Sequence, residues 1–295
     1  MSVQFDIEMK QVARRLVSAA LQEDLHEIGD LTSQALIERH ATGSVDIVAR
    51  ESGVLAGMPI APLVFERGSA KVTIDSRIAD GTRLSPGDVV ATVSGPVRAL
   101  LSGERTVLNF LTHLSGVATR TRKFVDAVAG TQATILDTRK TLPGWRNLQK
   151  YAVLCGGGAN HRMGLFDAVL IKDNHLAAWR AARPHATIAD AVRHARNVSP
   201  EATFVEVEVD TLEQLADALQ APPDIVLLDN MDCDQMRRAV TMRNDAAPDV
   251  LLEASGGITL ATAAEIAATG VDRISVGGLT HSAPALDLAF DWSAG

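Results

Sequence analysis

Apolar and polar positions alternate with two different periods in the first third of the chain. Residues 7–23 carry apolar side chains at helical spacing, Val12 and Leu16 among them, so this segment is predicted to be an amphipathic helix. Residues 43–96 instead contain short runs typical of strands, separated by turn signals such as Asp80-Gly81. A small, mostly antiparallel sheet is therefore predicted between residues 43 and 96.

A different pattern begins after residue 96. Residues 104–129 are predicted to form one long helix, because Val107, Leu111 and Leu114 recur on one helical face. Beyond it, apolar runs alternate with helical segments at starts roughly 20–36 residues apart, the size of a βα unit. The runs are 133–136, 168–171, 203–209, 225–228, 250–253 and 273–276. Six such strands predict a parallel α/β sheet, and either the barrel is incomplete or further strands lie within 143–165.

Length and composition narrow the class of protein. A chain of 295 residues with 46% hydrophobic content can build a barrel and a smaller domain. Its net charge of −8 would repel a nucleic acid, and 4% aromatic residues are too few for base-stacking platforms. Nucleic-acid binding is therefore excluded as the expected function.

The cellular setting is also predicted from composition. Cys155 and Cys233 lie far apart without a CxxC spacing, which argues against a disulfide framework or a zinc site. The first ten residues lack an apolar signal core, and no run approaches the roughly 18–20 apolar residues that span a bilayer. We expect a cytoplasmic protein without a membrane partner.

Charged residues or glycines follow each of the six predicted strands. Asp137-Thr138-Arg139-Lys140 follows the first strand, and Lys172-Asp173-Asn174-His175 follows the second. The third strand carries Glu206 and Glu208 on one face. The remaining strands end in Asp229-Asn230, Glu253-Ala254-Ser255-Gly256-Gly257 and Ser275-Val276-Gly277-Gly278. Because α/β barrels place their active sites at the carboxyl ends of the strands, this pattern predicts a catalytic rim.

The residue types at this rim suit a small anionic substrate. Arg139, Lys140, Arg162 and Lys172 would form a cationic bowl, since guanidinium groups bind carboxylates and phosphates with two hydrogen bonds. The alternative is a solvated surface patch, the usual fate of such side chains. Glycine pairs after the last two strands favour a phosphate cradle over simple tight turns.

The acidic residues at the rim leave two interpretations open. Glu208 and Asp229 can hold Mg²⁺ through water or accept hydrogen bonds from sugar hydroxyls. Equally, they can be salt-bridge partners of the basic bowl. The chain contains no GxxxxGK[ST] loop, no GxGxxG turn after a strand, no HExxH and no GxSxG motif.

Several motifs in the same order resemble those of the quinolinate phosphoribosyltransferases, from about Glu23 to Trp292. They are Glu104-Arg105-Thr106-Val107-Leu108-Asn109, Asp137-Thr138-Arg139-Lys140-Thr141, Gly157-Gly158-Ala159-Asn160-His161-Arg162, Lys172-Asp173-Asn174-His175, Leu228-Asp229-Asn230 and Ser255-Gly256-Gly257. The resemblance implies an incomplete, seven-stranded α/β barrel with an N-terminal α/β sandwich domain. The implied domain limits are 1–115, joined by the C-terminal tail 279–295, and 116–278.

The same resemblance implies a reaction and its participants. Quinolinate and phosphoribosyl pyrophosphate would give nicotinate mononucleotide, carbon dioxide and pyrophosphate with Mg²⁺. A homodimer is implied, with a hexamer as the larger alternative, and Arg105 would enter the neighbouring subunit's site. The implied catalytic residues are Lys140, Lys172, Glu208 and Asp229, with Glu208 and Asp229 also near the metal. The implied substrate-binding residues are Arg105, Thr138, Arg139, Lys140, His161, Arg162, Lys172, Glu208, Asp229, Ser255, Gly256, Gly257, Val276, Gly277 and Gly278.

Three other functions fit parts of the pattern. A related phosphoribosyltransferase acting on another ring acid would keep the phosphate cradle and alter the carboxylate clamps. A Schiff-base aldolase would place its reactive lysine at a strand end, where Lys172 lies. A non-catalytic sugar-phosphate binder would explain the glycine pairs but not the cationic residues.

Overall fold

The computed structural model describes residues 3–66 and 71–292. The helices, in chain order, are α1 (Ile7–Leu25), α2 (Leu31–Leu36), α3 (Ala61–Phe65), α4 (Val97–Ala127), α5 (Arg146–Cys155), α6 (Asp173–Ala182), α7 (Ile188–Val198), α8 (Leu212–Ala218), α9 (Cys233–Ala246), α10 (Leu260–Ala267) and α11 (Gly278–His281). A short 3-10 helix spans Met58–Ile60. None of the helices in the described ranges is long and apolar enough to cross a membrane.

The strands complete the set of elements. In chain order they are β1 (Thr42–Ala49), β2 (Gly53–Val54), β3 (Thr73–Ser76), β4 (Arg83–Leu84), β5 (Val89–Pro96), β6 (Thr134–Leu136), β7 (Val169–Ile171), β8 (Val205–Val209), β9 (Ile225–Asp229), β10 (Leu251–Ser255), β11 (Arg273–Ser275) and β12 (Leu288–Trp292). The described residues divide into two compact units. Unit 1 holds the residues up to Arg122, Thr141–Gly157 and the segment from Gly278 onward, and unit 2 holds Lys123–Lys140 and Gly158–Gly277.

Unit 1 contains the predicted antiparallel sheet, with strand order β12-β1-β5-β3. In β1, Val45 and Ile47 are fully buried while the intervening Asp46 is not, which is the alternation expected of a sheet with one covered face. The C-terminal strand β12 extends this sheet, pairing Ile47 with Phe290. Strand β12 is therefore part of the N-terminal sheet.

Unit 2 is built around a six-stranded parallel sheet with the order β6-β11-β10-β9-β8-β7. All six strands predicted from the sequence are present, within two residues at each end. Strand β9 is apolar from Ile225 to Leu228 and buried throughout that run, because a parallel strand is covered on both faces. The prediction of a parallel α/β fold is confirmed.

Residues 143–165, where further strands were possible, contain helix α5. Its buried residues Leu148, Ala152 and Cys155 recur at helical spacing, and α5 packs on α1 and α11. A single parallel bridge joins Ala159 to Leu136 on β6. The segment Thr141–Gly157 consequently belongs to unit 1, which differs from the predicted limits 1–115 and 116–278. Those limits remain a prediction.

Helix α4 is longer than predicted, beginning at Val97 rather than Glu104. Its glycine Gly116 lies against the C-terminal segment of unit 1, where a Cβ atom would overlap the carbonyl oxygen of Pro284. Next to this contact, the Leu286 amide donates to the Thr112 carbonyl at 2.9 Å. The C-terminal segment can therefore approach α4 only because position 116 has no side chain.

We expect Gly116→Ala to destabilise the protein, although alanine is the better helix former by about 1 kcal/mol. Overlap with the Pro284 backbone should outweigh that gain and cost about 1–3 kcal/mol of unfolding free energy, measured by chemical denaturation. Gly103→Ala on the same helix is the matched control, because its Cβ would meet only the movable Phe65 ring. An unchanged stability of Gly116→Ala would contradict this account of the contact.

Candidate active site

A cavity of about 490 Å³ lies at the carboxyl ends of the strands of unit 2. The strands deliver side chains there because consecutive residues alternate between faces, so that one residue in two points inward. The cavity is lined by Thr138, Arg139, Lys140, His161, Arg162, Leu170, Lys172, Glu208, Leu227, Asp229, Asn230, Glu253, Ser255, Gly256, Gly257 and Ser275. The cationic residues predicted from separate parts of the sequence therefore share one cavity.

Two arginines meet in this cavity. Arg139 follows β6 and is exposed, whereas Arg162 is buried, with its Nη1 donating to the Ala168 carbonyl at 3.2 Å. Burial lowers the pKa of Arg162, and the neighbouring Arg139 cation lowers it further. Because like charges repel, holding two guanidinium groups close stores electrostatic free energy that an anion can release on binding. The arrangement is that of an anion site.

Lys172 closes the cavity on the side of β7 and β8. Its ammonium group donates to the Glu208 carboxylate, and its backbone N–H donates to Nδ1 of His175 at 2.9 Å, which caps helix α6. The Glu208 carboxylate engages the Lys172 amine, whereas a Schiff-base nucleophile must be free to attack a carbonyl carbon. This contact disfavours the aldolase alternative. His175, part of the same motif, has a capping role in this arrangement.

Asp229 is the second acidic residue of the cavity, at the end of β9. Burial raises the pKa of Asp229, Asp210 acts in the same direction, and Lys172 and Lys140 act against it. Asn230 donates from its side-chain amide to Asp229 at 2.7 Å. Glu208 and Asp229 thus face the cavity from adjacent strands, with lysines close to both.

A glycine turn after β10 provides an opening for an anion. Gly256 has φ 93°, and a Cβ there would overlap the Asn230 side chain, so only glycine fits. Gly257 has φ 60° with open space where a Cβ would be. Ser255, Gly256 and Gly257 line the cavity, and their role as a phosphate cradle stays a prediction.

The second predicted glycine pair does not share the cavity. Among the described residues, those that line it include Ser275 but neither Val276 nor Gly277 nor Gly278. The Val276 side chain is buried, and its N–H donates to the Leu136 carbonyl at 2.9 Å, which extends the β6–β11 pairing. Gly278 begins α11 in unit 1. Arg105 also belongs to unit 1, on an exposed position of α4.

His161 is buried at the base of the cavity between two carboxylates. Its Nε2 lies 3.0 Å from Glu206 and 3.4 Å from Glu253. Burial lowers the pKa of His161, but the two carboxylates more than offset this and raise it to about 9. In the neutral ring, the Arg162 amide that donates to Nδ1 at 2.8 Å places the proton on Nε2. Nε2 carries a proton in either charge state.

Sequence reasoning missed part of the site. Asn230, Glu253 and Ser275 line the cavity and were not assigned to it. Residues two apart on a strand share a face, so Glu253 lies on the same face as Ser255, just as Glu206 lies on the same face as Glu208. Glu206 and Glu253 are fully buried, which strand periodicity alone does not reveal.

These features define a class of protein: an α/β enzyme that binds small, multiply charged anions at the carboxyl edge of a parallel sheet. Residues 30–115 match the family described as quinolinate phosphoribosyl transferase, N-terminal domain, and residues 117–291 match the C-terminal domain of the same family. The chain belongs to the quinolinate phosphoribosyltransferase family. The resemblance inferred from the motifs is confirmed.

Individual relatives agree with this assignment. The nicotinate-nucleotide pyrophosphorylase [carboxylating] of Mycobacterium leprae is 48% identical over 95% of this chain and 96% of its own. The quinolinate phosphoribosyltransferase [decarboxylating] 1b of Nicotiana tabacum is 36% identical over 93% of this chain and 80% of its own. A solved nicotinate-nucleotide pyrophosphorylase from Francisella tularensis superposes with a TM-score of 0.89 and 38% identity, covering 99% of this chain and 100% of that one.

Proposed function

We propose that this chain transfers the phosphoribosyl group of phosphoribosyl pyrophosphate to quinolinate with decarboxylation. The products are nicotinate mononucleotide, carbon dioxide and pyrophosphate, and the reaction is the entry into de novo NAD synthesis. Relatives named for this reaction share up to 48% identity with almost the whole chain. The observation that carries the proposal is the convergence of Arg139, Arg162 and Lys172 on one cavity.

The electrostatic problem of the reaction explains this cavity. Quinolinate is a dianion and phosphoribosyl pyrophosphate carries still more negative charge, so bringing them together costs Coulomb energy. Arg139 and Arg162 hold the two quinolinate carboxylates, since guanidinium forks match carboxylate geometry. Lys140 and Lys172 neutralise charge where the two substrates meet. Thr138 and His161 complete the walls around the ring.

The acidic pair acts on the ribose. As the bond to pyrophosphate breaks, the sugar carbon becomes positively charged, and the carboxylates of Glu208 and Asp229 stabilise that charge or orient the sugar hydroxyls. Ser255, Gly256 and Gly257 hold the 5′-phosphate with backbone N–H groups, whereas Val276, Gly277 and Gly278, which do not line the cavity, are given no part in this step. The ring nitrogen of quinolinate then attacks the sugar carbon from the opposite face.

Decarboxylation follows from the product of that attack. The ribosylated ring nitrogen is cationic and stabilises the carbanion left when the adjacent carboxylate leaves as carbon dioxide. The chain therefore supplies no separate electron sink. Arg139 and Arg162 keep the remaining carboxylate in place during this step.

Mg²⁺ is the proposed metal. Glu208 and Asp229 supply the oxygen donors that Mg²⁺ prefers, and it is commonly bound by one or two carboxylates together with substrate phosphates. The ion pair of Glu208 with Lys172 leaves Asp229 as the less neutralised of the two carboxylates. When bound, Mg²⁺ neutralises the departing pyrophosphate.

The proposal also covers the assembly and the finer architecture. We propose a seven-stranded incomplete barrel, supported by the Ala159–Leu136 bridge beside the six-stranded sheet. We propose a homodimer, with a hexamer as its larger form, in which Arg105 enters the partner's site. Arg105 is exposed on α4, as a residue that reaches a neighbouring subunit must be.

Free cysteines at 155 and 233 agree with a reducing, cytoplasmic setting.

The direct test is to incubate the protein with quinolinate, phosphoribosyl pyrophosphate and Mg²⁺ and to detect nicotinate mononucleotide by chromatography. We expect product with quinolinate and none with nicotinate, because nicotinate lacks the second carboxylate of the clamp. The reaction should stop when EDTA is added. Absence of product from folded protein would refute the proposed function.

Arg139→Ala should weaken quinolinate binding much more than it affects folding, because the Arg139 side chain is exposed at the rim. Loss of a bidentate charged contact should cost on the order of 3 kcal/mol, roughly a hundredfold in Kd by calorimetry. Arg193→Ala on α7 is the matched control, since that arginine pairs only with a helical neighbour, Asp190, among the contacts described. Equal quinolinate affinity in Arg139→Ala and the native protein would contradict the clamp.

Mixing two inactive variants tests whether Arg105 acts across a subunit boundary. Arg105→Ala and Lys172→Ala should each abolish activity, and a random mixture of the two should recover about a quarter of native activity if the assembly is a symmetric dimer, because about half of the dimers are hybrids with one native site of two. Differently tagged subunits allow hybrids to be purified and verified. Verified hybrids without activity would mean that Arg105 and Lys172 serve the same chain's site.

A further inference from the structure

A layer of charged side chains lies beneath the cavity, inside the sheet of unit 2. Glu206 and Glu253 are fully buried, and His161 is 8% exposed. Barrel interiors are usually filled by valine, leucine and isoleucine, and buried carboxylates are costly unless they are paired. The presence of two such carboxylates in one interior therefore calls for a specific role.

The contacts join this layer into a continuous cluster. His161 Nε2 lies between Glu206 and Glu253, at 3.0 and 3.4 Å. Arg273 Nε donates to the other oxygen of Glu253 at 2.7 Å. We call these four residues the buried ionic cluster.

The strands place the buried ionic cluster one step below the cavity. Glu206 precedes Glu208 by two residues on β8, and the same spacing separates Glu253 from Ser255 and Arg273 from Ser275. Residues two apart on a strand share a face. Glu206, Glu253 and Arg273 therefore each lie one step below a residue that lines the cavity, and Glu253 also reaches the cavity wall.

The three donor groups of His161, Glu206 and Glu253 are close enough to hold a metal ion. The ring geometry argues against this role. The Arg162 amide donates to Nδ1 of His161 at 2.8 Å, which requires the lone pair there and places the ring proton on Nε2. A metal needs the Nε2 lone pair, so a protonated Nε2 between two carboxylates is instead an electrostatic anchor for the ring.

His161 transmits this anchoring to the cavity. Its ring accepts the Arg162 amide, and its own amide donates at 2.9 Å to Asp137, a buried carboxylate at the end of β6. The backbone that carries Arg162 is thus fixed from the His161 ring on one side and from β6 on the other. Ring rotation would release the Arg162 amide and shift the guanidinium group.

We propose that Glu206, Glu253 and Arg273 are positioning residues that lock the His161 ring and thereby aim Arg162 at the acceptor carboxylates. The inference rests on the proposed function, since it assigns Arg162 to quinolinate. It extends that function by three residues, of which Glu253 lines the cavity and Glu206 and Arg273 do not. The quinolinate clamp at Arg162 then depends on the buried ionic cluster.

The test compares KM values for the two substrates. Glu206→Leu keeps the side-chain volume but removes the acceptor for Nε2–H, so KM for quinolinate should rise at least tenfold while KM for phosphoribosyl pyrophosphate changes less than twofold. Glu206→Gln keeps an acceptor oxygen and should restore most of the quinolinate affinity. A purely structural role would not separate the two substrates in this way.

Asp272→Leu is the matched control. Asp272 is a carboxylate of the same sheet, paired with Arg243 at 2.9 Å and outside the buried ionic cluster. The control should lose stability without a selective rise in KM for quinolinate. Equal effects of Asp272→Leu and Glu206→Leu on the two KM values would overturn the proposal.

A double-mutant comparison keeps the inference testable if one variant is unstable. If Glu206 acts through the ring, combining Glu206→Leu with His161→Leu should weaken quinolinate binding no more than His161→Leu alone. Additive effects would overturn the proposal.

If the native protein itself forms no nicotinate mononucleotide, the proposed function fails. If the native protein is active and the variants do not discriminate between substrates, only this inference fails.

Discussion

Repulsion between like charges is the constraint on which this structure depends. A chain with a net charge of −8 gathers arginines and lysines into one cavity, and Arg139 and Arg162 are close enough that each opposes the other's charge. Such a cluster is unfavourable until anions bind, because Coulomb repulsion is strong where water is partly excluded. Binding of polyanionic substrates therefore relieves this repulsion.

Acidic residues offset this cationic cluster both at the rim of the cavity and in the layer below it. At the rim, Glu208 forms an ion pair with Lys172. Bound ligands can then change the net charge of the cavity. Below it, Glu206 and Glu253 surround His161 in the dry interior, where removal from water strengthens each contact. Parallel strands make this layering possible, because residues two apart share a face and lie one above the other.

The sequence predicted the strands of unit 2 well because most of them are short apolar runs ended by charge or glycine, as β9 is with Asp229. Arg139, Lys140 and Lys172 could be assigned because they directly follow strands. Glu253 was missed as a site residue, since one glutamate in an apolar run gives no sign of its partner. Helix α5 escaped the prediction because its buried residues include Gln149 and Lys150, which hide the apolar pattern of a buried helix.

The sequence by itself determined the elements, the family and the chemical character of the site, because periodicity and motif order are local properties of the chain. Tertiary structure alone decided which charges meet. Glu206 and His161 lie 45 positions apart in the chain and reach one another only through the strand order of the sheet. Contact between distant residues depends on the path of the backbone through space, and burial depends on all the elements that cover a side chain.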